Sequence, residues 1–280
     1  MKNLFILLLF VPTLSKAQNF FFSTRLGLSG YNGDLKEHAI SLSQTKLVGS
    51  IGARYDLSEH LSARTYFSYG GLKAADAKRK DSLQQRNLSF QSKLLDFELG
   101  AQYNILNLND HWWTPYVFAG VGLFRYKPYT KADNGDKVFL NPLSTEGEGF
   151  RQGVNNYKLT QFSMPFGFGA DYSLNEDNKI GLEFGYHKTF TDYIDDVSTT
   201  YVDQAALATA RGPQAVALAY RGPGSYPAGG TARGDVSKKD NFYFITLTYT
   251  FRFYFDKYKQ TSGIPGARRE KRVGCPSTRY

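Results

Sequence analysis

Asn241-Phe242-Tyr243-Phe244-Ile245-Thr246-Leu247-Thr248-Tyr249-Thr250-Phe251-Arg252-Phe253-Tyr254-Phe255 decides the fold. Tyr243, Ile245, Leu247, Tyr249, Phe251, Phe253 and Phe255 fall on one face, and Thr246, Thr248, Thr250 and Arg252 on the other. Side chains of an extended strand point alternately to opposite faces, so this sorting predicts a strand greased on one side and solvated on the other. The same alternation recurs near residues 20–31, 45–56, 61–72, 89–105, 114–126, 158–174 and 179–192, which predicts eight strands in all.

The connections between these segments alternate in length. Leu57 to His60, Leu106 to Trp113 and Asn175 to Asn178 are short, whereas the stretches near 32–44, 73–88, 127–157 and 193–240 are long. Outer-membrane barrels have short periplasmic turns and long external loops, so the expected fold is an all-β, eight-stranded antiparallel transmembrane β-barrel of the small OmpA/OmpX-like kind. Both termini then lie on the short-turn side, in the periplasm. A soluble β-sandwich also offers eight strands, but its turns need not alternate in length and its surface would not carry so many aromatics.

The rest of the chain agrees with export. Met1-Lys2-Asn3, the apolar run Leu4 to Pro12 and the small-residue stretch ending at Ala17 read as a signal peptide over residues 1–17. Its apolar core is shorter than the roughly 20 residues of a spanning helix. Mean hydropathy is negative although the chain carries 22 Phe and 20 Tyr, as befits strands in which only alternate residues meet lipid. Of the net charge of +9, the tail from Lys257 to Tyr280 holds +6 and the signal +2, which leaves the barrel of residues 18–256 nearly neutral. The excess positive charge therefore describes a basic tail over residues 257–280 rather than a nucleic-acid-binding surface.

The strand phase places Arg25, Arg54, Arg64, Asp96, Glu98, Asp171, Glu183, His187 and Arg252 inside the barrel, with Gly120, Gly122, Gly167, Gly169 and Gly185. Eight strands enclose only enough room for side chains, so four arginines against four carboxylates predict a charge-balanced plug and no bulk solute conduction.

No catalytic motif, cofactor signature or metal-ligand spacing stands out. Glu183 lies four residues from His187 on one face, which would suit a base and its orienter in a lipid-modifying enzyme, although a lumenal His beside a lumenal Glu is far more often part of a plug. The carboxylates of Thr191 to Asp196 and of Thr145 to Gly149 read as a solvated rim, with calcium or lipid-headgroup bridging as the alternative. The Ala-, Gly- and Pro-rich stretch from Ala205 to Gly234 reads as mobile until bound by a partner.

Past Phe255 the alternation stops. Arg268, Arg269, Lys271, Arg272 and the lone Cys275 form a basic segment suited to docking an acidic partner, and the thiol has no second cysteine in the chain to pair with.

Several strings resemble one family. Tyr31 to Leu35, Pro115 to Gly122, Thr145-Glu146-Gly147-Glu148-Gly149, Arg233-Gly234, Cys275-Pro276 and above all Thr189-Phe190-Thr191-Asp192-Tyr193-Ile194-Asp195-Asp196-Val197-Ser198 are similar to the PorG-type outer-membrane barrels of the type IX secretion system. The resemblance spans the mature chain, although Arg279-Tyr280 extends past the expected end. It implies a non-enzymatic accessory component associated with a periplasmic ring built of a lipoprotein and a partner subunit. On that reading the basic run and Cys275 form the contact, with a disulfide through Cys275 as one form of it, and the barrel's other partners are outer-membrane lipid and lipopolysaccharide. Two further classes stay open: an adhesin-like barrel acting through its external loops, and a lipid-modifying enzyme working through His187.

Overall fold

The computed structural model describes residues 20–36, 41–78, 86–107 and 111–253. The strands are β1 (Phe20–Asn32), β2 (Thr45–Asp56), β3 (Leu61–Ala75), β4 (Ser89–Asn104), β5 (Trp113–Lys131), β6 (Lys137–Phe139), β7 (Thr160–Ser173), β8 (Asn178–Thr189) and β9 (Asn241–Arg252). Two helices, α1 (Gln204–Arg211) and α2 (Pro213–Ala219), lie in the connection before β9. Each wall strand pairs antiparallel with its neighbours, and the wall closes because β1 pairs with β9 (Leu26 with Leu247) while β4 pairs with β5 (Gly100 with Gly120). Closure leaves the wall itself without a sheet edge to recruit another chain. The short β6 stands outside this ring as a flap on the projecting end of β5, with Tyr129 opposite Phe139.

The wall is an eight-stranded antiparallel barrel whose two surfaces obey the pleat. Outward stand Leu26, Leu47, Ile51, Phe67, Phe97, Val121, Phe162, Phe168, Leu182 and Leu247, all exposed. Such a continuous apolar surface marks contact with lipid. No helix among the described residues is long and apolar enough to cross a membrane.

The structure departs from the strand phase at Tyr243. Tyr243 has the phase of a lipid-facing residue, yet it is fully buried. It lies over Gly30, its partner in β1, and its hydroxyl donates to the Ser41 carbonyl at 3.0 Å while the Lys36 ammonium donates to it at 3.3 Å. The first long connection thus folds down the outside of the wall and covers it. A Cβ on Gly30 would stand 2.1 Å from the tyrosine ring, so only glycine leaves the ring this seat.

Several expected boundaries shift: β3 runs on to Ala75 and the last strand ends at Arg252 rather than 255. β5 runs on to Lys131, beyond the wall. The strand expected to reach 192 ends at Thr189, because the carboxylates that follow bind local backbone instead of extending a ladder: Asp195 accepts from the Val197 amide at 2.9 Å.

Candidate functional site

Two assemblies fill the interior, one in the middle of the lumen and one across the end from which the long connections emerge. In the middle, Glu183 of β8 is the hub. Arg25 of β1 donates to Glu183 Oε1 at 2.5 Å, and Arg64 of β3 donates to both its oxygens at 2.8 Å. The Tyr116 hydroxyl donates to Oε2 at 2.8 Å. Both guanidinium groups also reach Glu98 Oε1 at 3.0 Å. Arg25 lies over the Tyr66 ring at 3.5 Å, and Arg64 over Phe118 at 3.9 Å, so aromatic faces complete their surroundings.

Gly169 makes this geometry accessible. It sits between Tyr116 and Glu183 in the register, and a Cβ there would lie 2.5 Å from the Tyr116 ring and hydroxyl. Charges so placed have left water, and they hold each other through several directed hydrogen bonds per group.

Nearer the short turns, Arg54 donates to Asp171 at 2.8 Å and stands 3.3 Å from Asp56. Arg252 corrects the expectation of a four-against-four plug. It sits half-buried at the lumen mouth, facing Asp177 of a turn at 3.7 Å rather than any carboxylate of the middle layer. The middle charges therefore do not balance: Arg25 and Arg64 answer Glu98 and Glu183, and Asp96 has no arginine against it.

The His187–Glu183 dyad is not formed. Glu183 is taken by the arginines and Tyr116, while His187 faces Asp96 (Nδ1 to Oδ1 3.7 Å) and Glu98 (Nε2 to Oε2 3.9 Å) and stacks on Phe242 at 4.4 Å. It is 1% exposed, inside the wall, where a lipid substrate has no access.

Above these charges an apolar layer seals the lumen. Phe90, Leu94, Phe124, Phe242 and Phe244 from the strands meet Leu35, Leu140, Ile194 and Val197 from the long connections.

Those connections then knit into a cap centred on Arg233. Its guanidinium donates to Glu146 Oε1 at 2.9 Å, to the Asp196 carbonyl at 2.5 Å and to the Ala219 carbonyl at 3.2 Å. Glu146 accepts in addition from the amides of Ser198 and Thr199 and from the Thr199 hydroxyl. Asp196 accepts from the hydroxyls of Thr145 at 2.7 Å and Tyr157 at 2.6 Å. The second long connection joins through Arg86, which pairs with Asp76 at 2.7 Å and donates to the Arg233 carbonyl. The Tyr31 hydroxyl ties the wall to the cap by bonding Asp195 and Asp240, each at 2.6 Å.

The backbone turns that expose these groups to one another need left-handed residues. Gly147 (φ 91°) and Gly149 (φ 78°) supply them around Glu146 and Glu148.

This cap corrects two expectations. The acidic strings are not a solvated rim, since Glu146, Glu148, Asp192, Asp195 and Asp196 are all buried. Burial pushes the Asp192 carboxyl up to about 6, and burial with Asp196 and Glu146 close by pushes Glu148 up to about 8. The stretch from Ala205 to Gly234 is likewise built rather than loose. Asp203 caps α1 by accepting from the Ala206 amide at 2.9 Å, and Leu207 and Ala215 pack with Val202, Leu143 and Phe150.

Arg268, Arg269, Lys271, Arg272 and Cys275, like the signal segment 1–17, lie outside the described residues.

Several solved structures are similar to this chain. Neisserial surface protein A is 11% identical, with 84% of this chain and 97% of that one covered and a TM-score of 0.42. OprG from Pseudomonas aeruginosa is 14% identical, with 84% and 97% covered and a TM-score of 0.42. Ail, the attachment invasion locus protein of Yersinia pestis, solved with the heparin analogue sucrose octasulfate, is 11% identical over 83% of this chain and 99% of its own, with a TM-score of 0.36. No curated protein matches the chain. The model of the outer membrane protein beta-barrel domain matches residues 4–253, the whole of the wall described above. The chain belongs to that family, and the protein is a β-barrel of the outer membrane.

Proposed function

We propose that this barrel is a non-enzymatic accessory component of the type IX secretion system. On this reading both termini are periplasmic, the cap faces outward, and the tail anchors a periplasmic ring of a lipoprotein and a partner subunit at the membrane. The observation that carries it is the meeting of three separate strings around one guanidinium. Thr145 to Gly149, Thr189 to Ser198 and Arg233-Gly234 carry the family resemblance, and their side chains converge on Arg233. Residues that read as unrelated fragments along the chain are thus one structural unit. A lumen closed by ion pairs and an apolar layer also supports a protein that acts by position rather than by conduction.

The test is secretion in a strain lacking the protein, complemented with the full chain or with a chain ending at Asp256. The reading expects the full chain to restore export and the shortened one to assemble as a barrel without restoring it. Normal export without the protein would contradict the secretion role, and full restoration by the shortened chain would contradict the tail's part in it.

A further inference from the structure

We propose that the lumen contains a binding site for one divalent transition-metal ion, built by Asp96 and Glu98 of β4 and His187 of β8. One donor atom from each of the three lies within 4.8 Å of the others, and all three residues are buried. What points to a ligand is their lack of partners. Both oxygens of Asp96, Glu98 Oε2 and His187 Nδ1 are buried without a hydrogen-bond partner, and so is the Ser163 hydroxyl beside them. Buried polar groups are ordinarily satisfied, and an isolated buried carboxylate is among the costliest exceptions. The 3.7 Å gap from His187 Nδ1 to Asp96 is too long for a direct hydrogen bond, and Nδ1 is the unpartnered nitrogen that an ion would take, Nε2 lying on the other side of the ring 3.9 Å from Glu98. The space between Nδ1 and Asp96 is one that an ion would bridge, with Glu98 Oε2 turning toward it.

Charge and shape agree on what that body is. With Arg25 and Arg64 paired to Glu98 and Glu183, the formal charges of the middle layer leave one carboxylate, Asp96, without an arginine in ion-pair contact. The two arginines grip Glu98 through Oε1 and leave Oε2 free toward the site. Phe242 and Phe244, with ring centroids at 4.4 and 4.7 Å, fix the plane of the imidazole. Ligands held in orientation by surrounding groups are what a metal site requires.

Gly122 supplies the room. A Cβ there would stand 2.5 Å from the Ser163 hydroxyl and 3.6 Å from Asp96 Oδ1, so the absent side chain leaves space beside the donors. One imidazole and two carboxylates suit zinc, manganese or ferrous iron better than magnesium or calcium, which favour all-oxygen shells. Bonds of about 2.0–2.2 Å would draw the donors roughly an ångström closer together, a movement that side-chain rotation supplies. A bound ion would staple β4 to β8 across the lumen.

The test uses the full mature chain carrying Cys275→Ser, so that the tail thiol does not compete, refolded from urea into detergent micelles with and without Zn2+. Bound metal is measured by mass spectrometry after desalting, and folding by heat-dependent electrophoretic mobility. The expected result is close to one zinc per folded chain, unaffected by excess Mg2+ and reduced at least tenfold by Asp96→Asn and by His187→Gln. Should either variant fail to fold, Co2+ loaded into the unsubstituted site must give visible ligand-field bands that Zn2+ displaces. A folded chain that holds under a tenth of an equivalent of zinc overturns the site, as do folded variants that hold as much as the parent and cobalt that gives no such bands. Asp96 would then be neutralised by a proton.

Discussion

Arg233 and Glu146 stand 87 residues apart in the chain, and their side chains meet at 2.9 Å with both nearly inaccessible to solvent. The contact joins the third long connection to the fourth and sits at the centre of the cap. Removing one partner of a buried ion pair leaves the other charged and unsolvated, which costs about 3–5 kcal/mol. Arg233→Met is therefore expected to open the cap by that amount while the wall stays folded. Limited proteolysis, with cleavage appearing between 190 and 240, reads the change. Arg221→Met is the control, because its partner Asp133 is almost fully exposed and such pairs contribute little. Equal sensitivity of the two variants would deny Arg233 its central place.

Glu183 gathers two arginines and a tyrosine, so its loss leaves two buried guanidinium groups and a hydroxyl short of an acceptor. Glu183→Gln is expected to destabilise the barrel by about 3–5 kcal/mol, since Arg25 and Arg64 keep their charges with only Glu98 between them. Tyr116→Phe removes one hydrogen bond to the same carboxylate and should cost about 1.5–3 kcal/mol. Urea unfolding in micelles measures both, and a smaller loss for Glu183→Gln than for Tyr116→Phe would contradict the hub.

The cap also carries a pH dependence. Asp192 and Glu148 have folded pKa values raised by burial, to about 6 and about 8. Between the ordinary carboxylate range and those values the folded cap binds protons that the open cap releases, so stability falls as pH rises. The contribution is whole at pH 4, declines first through Asp192 and then through Glu148, and is gone above about pH 8. Amide exchange over 145–149 and 192–198, corrected for its intrinsic pH dependence, should therefore speed up from pH 5 to 8.5. Glu148→Gln should flatten the upper part of that profile. Protection that grows with pH would reverse the sign.

The wall was legible because lipid outside and charge inside impose a period of two that survives at single-residue resolution: the alternation of Leu247 and Tyr249 with Thr246, Thr248 and Thr250 is the register itself. The lumenal residues follow from that phase, since a residue's face depends only on its parity. Their pairing does not. That Arg252 serves Asp177 while Asp96 goes without an arginine depends on strand stagger, which no single strand records.

The cap was illegible for a different reason. Asp192, Asp195, Asp196 and Glu146 are the residue types of solvated turns, and contacts from distant parts of the chain bury them, as Arg233 does Glu146 across 87 positions and Tyr31 does Asp195 across 164. Tyr243 failed likewise, covered by a connection whose path strand parity does not describe. One hint was available: glycines at alternate positions in Thr145-Glu146-Gly147-Glu148-Gly149 mark a backbone turning tightly enough to present its carboxylates inward.

The central claim is that a closed barrel works by holding a periplasmic partner through its tail, and purification from native outer membranes tests it most directly. The full chain, Cys275→Ser and a chain ending at Asp256 would each be isolated without reductant and their companions identified. A periplasmic lipoprotein is expected on the full chain, covalently where Cys275 forms the bridge, and is expected to be absent from the shortened chain. Recovery of the full-length barrel alone, or of the same lipoprotein on the shortened chain, would contradict it.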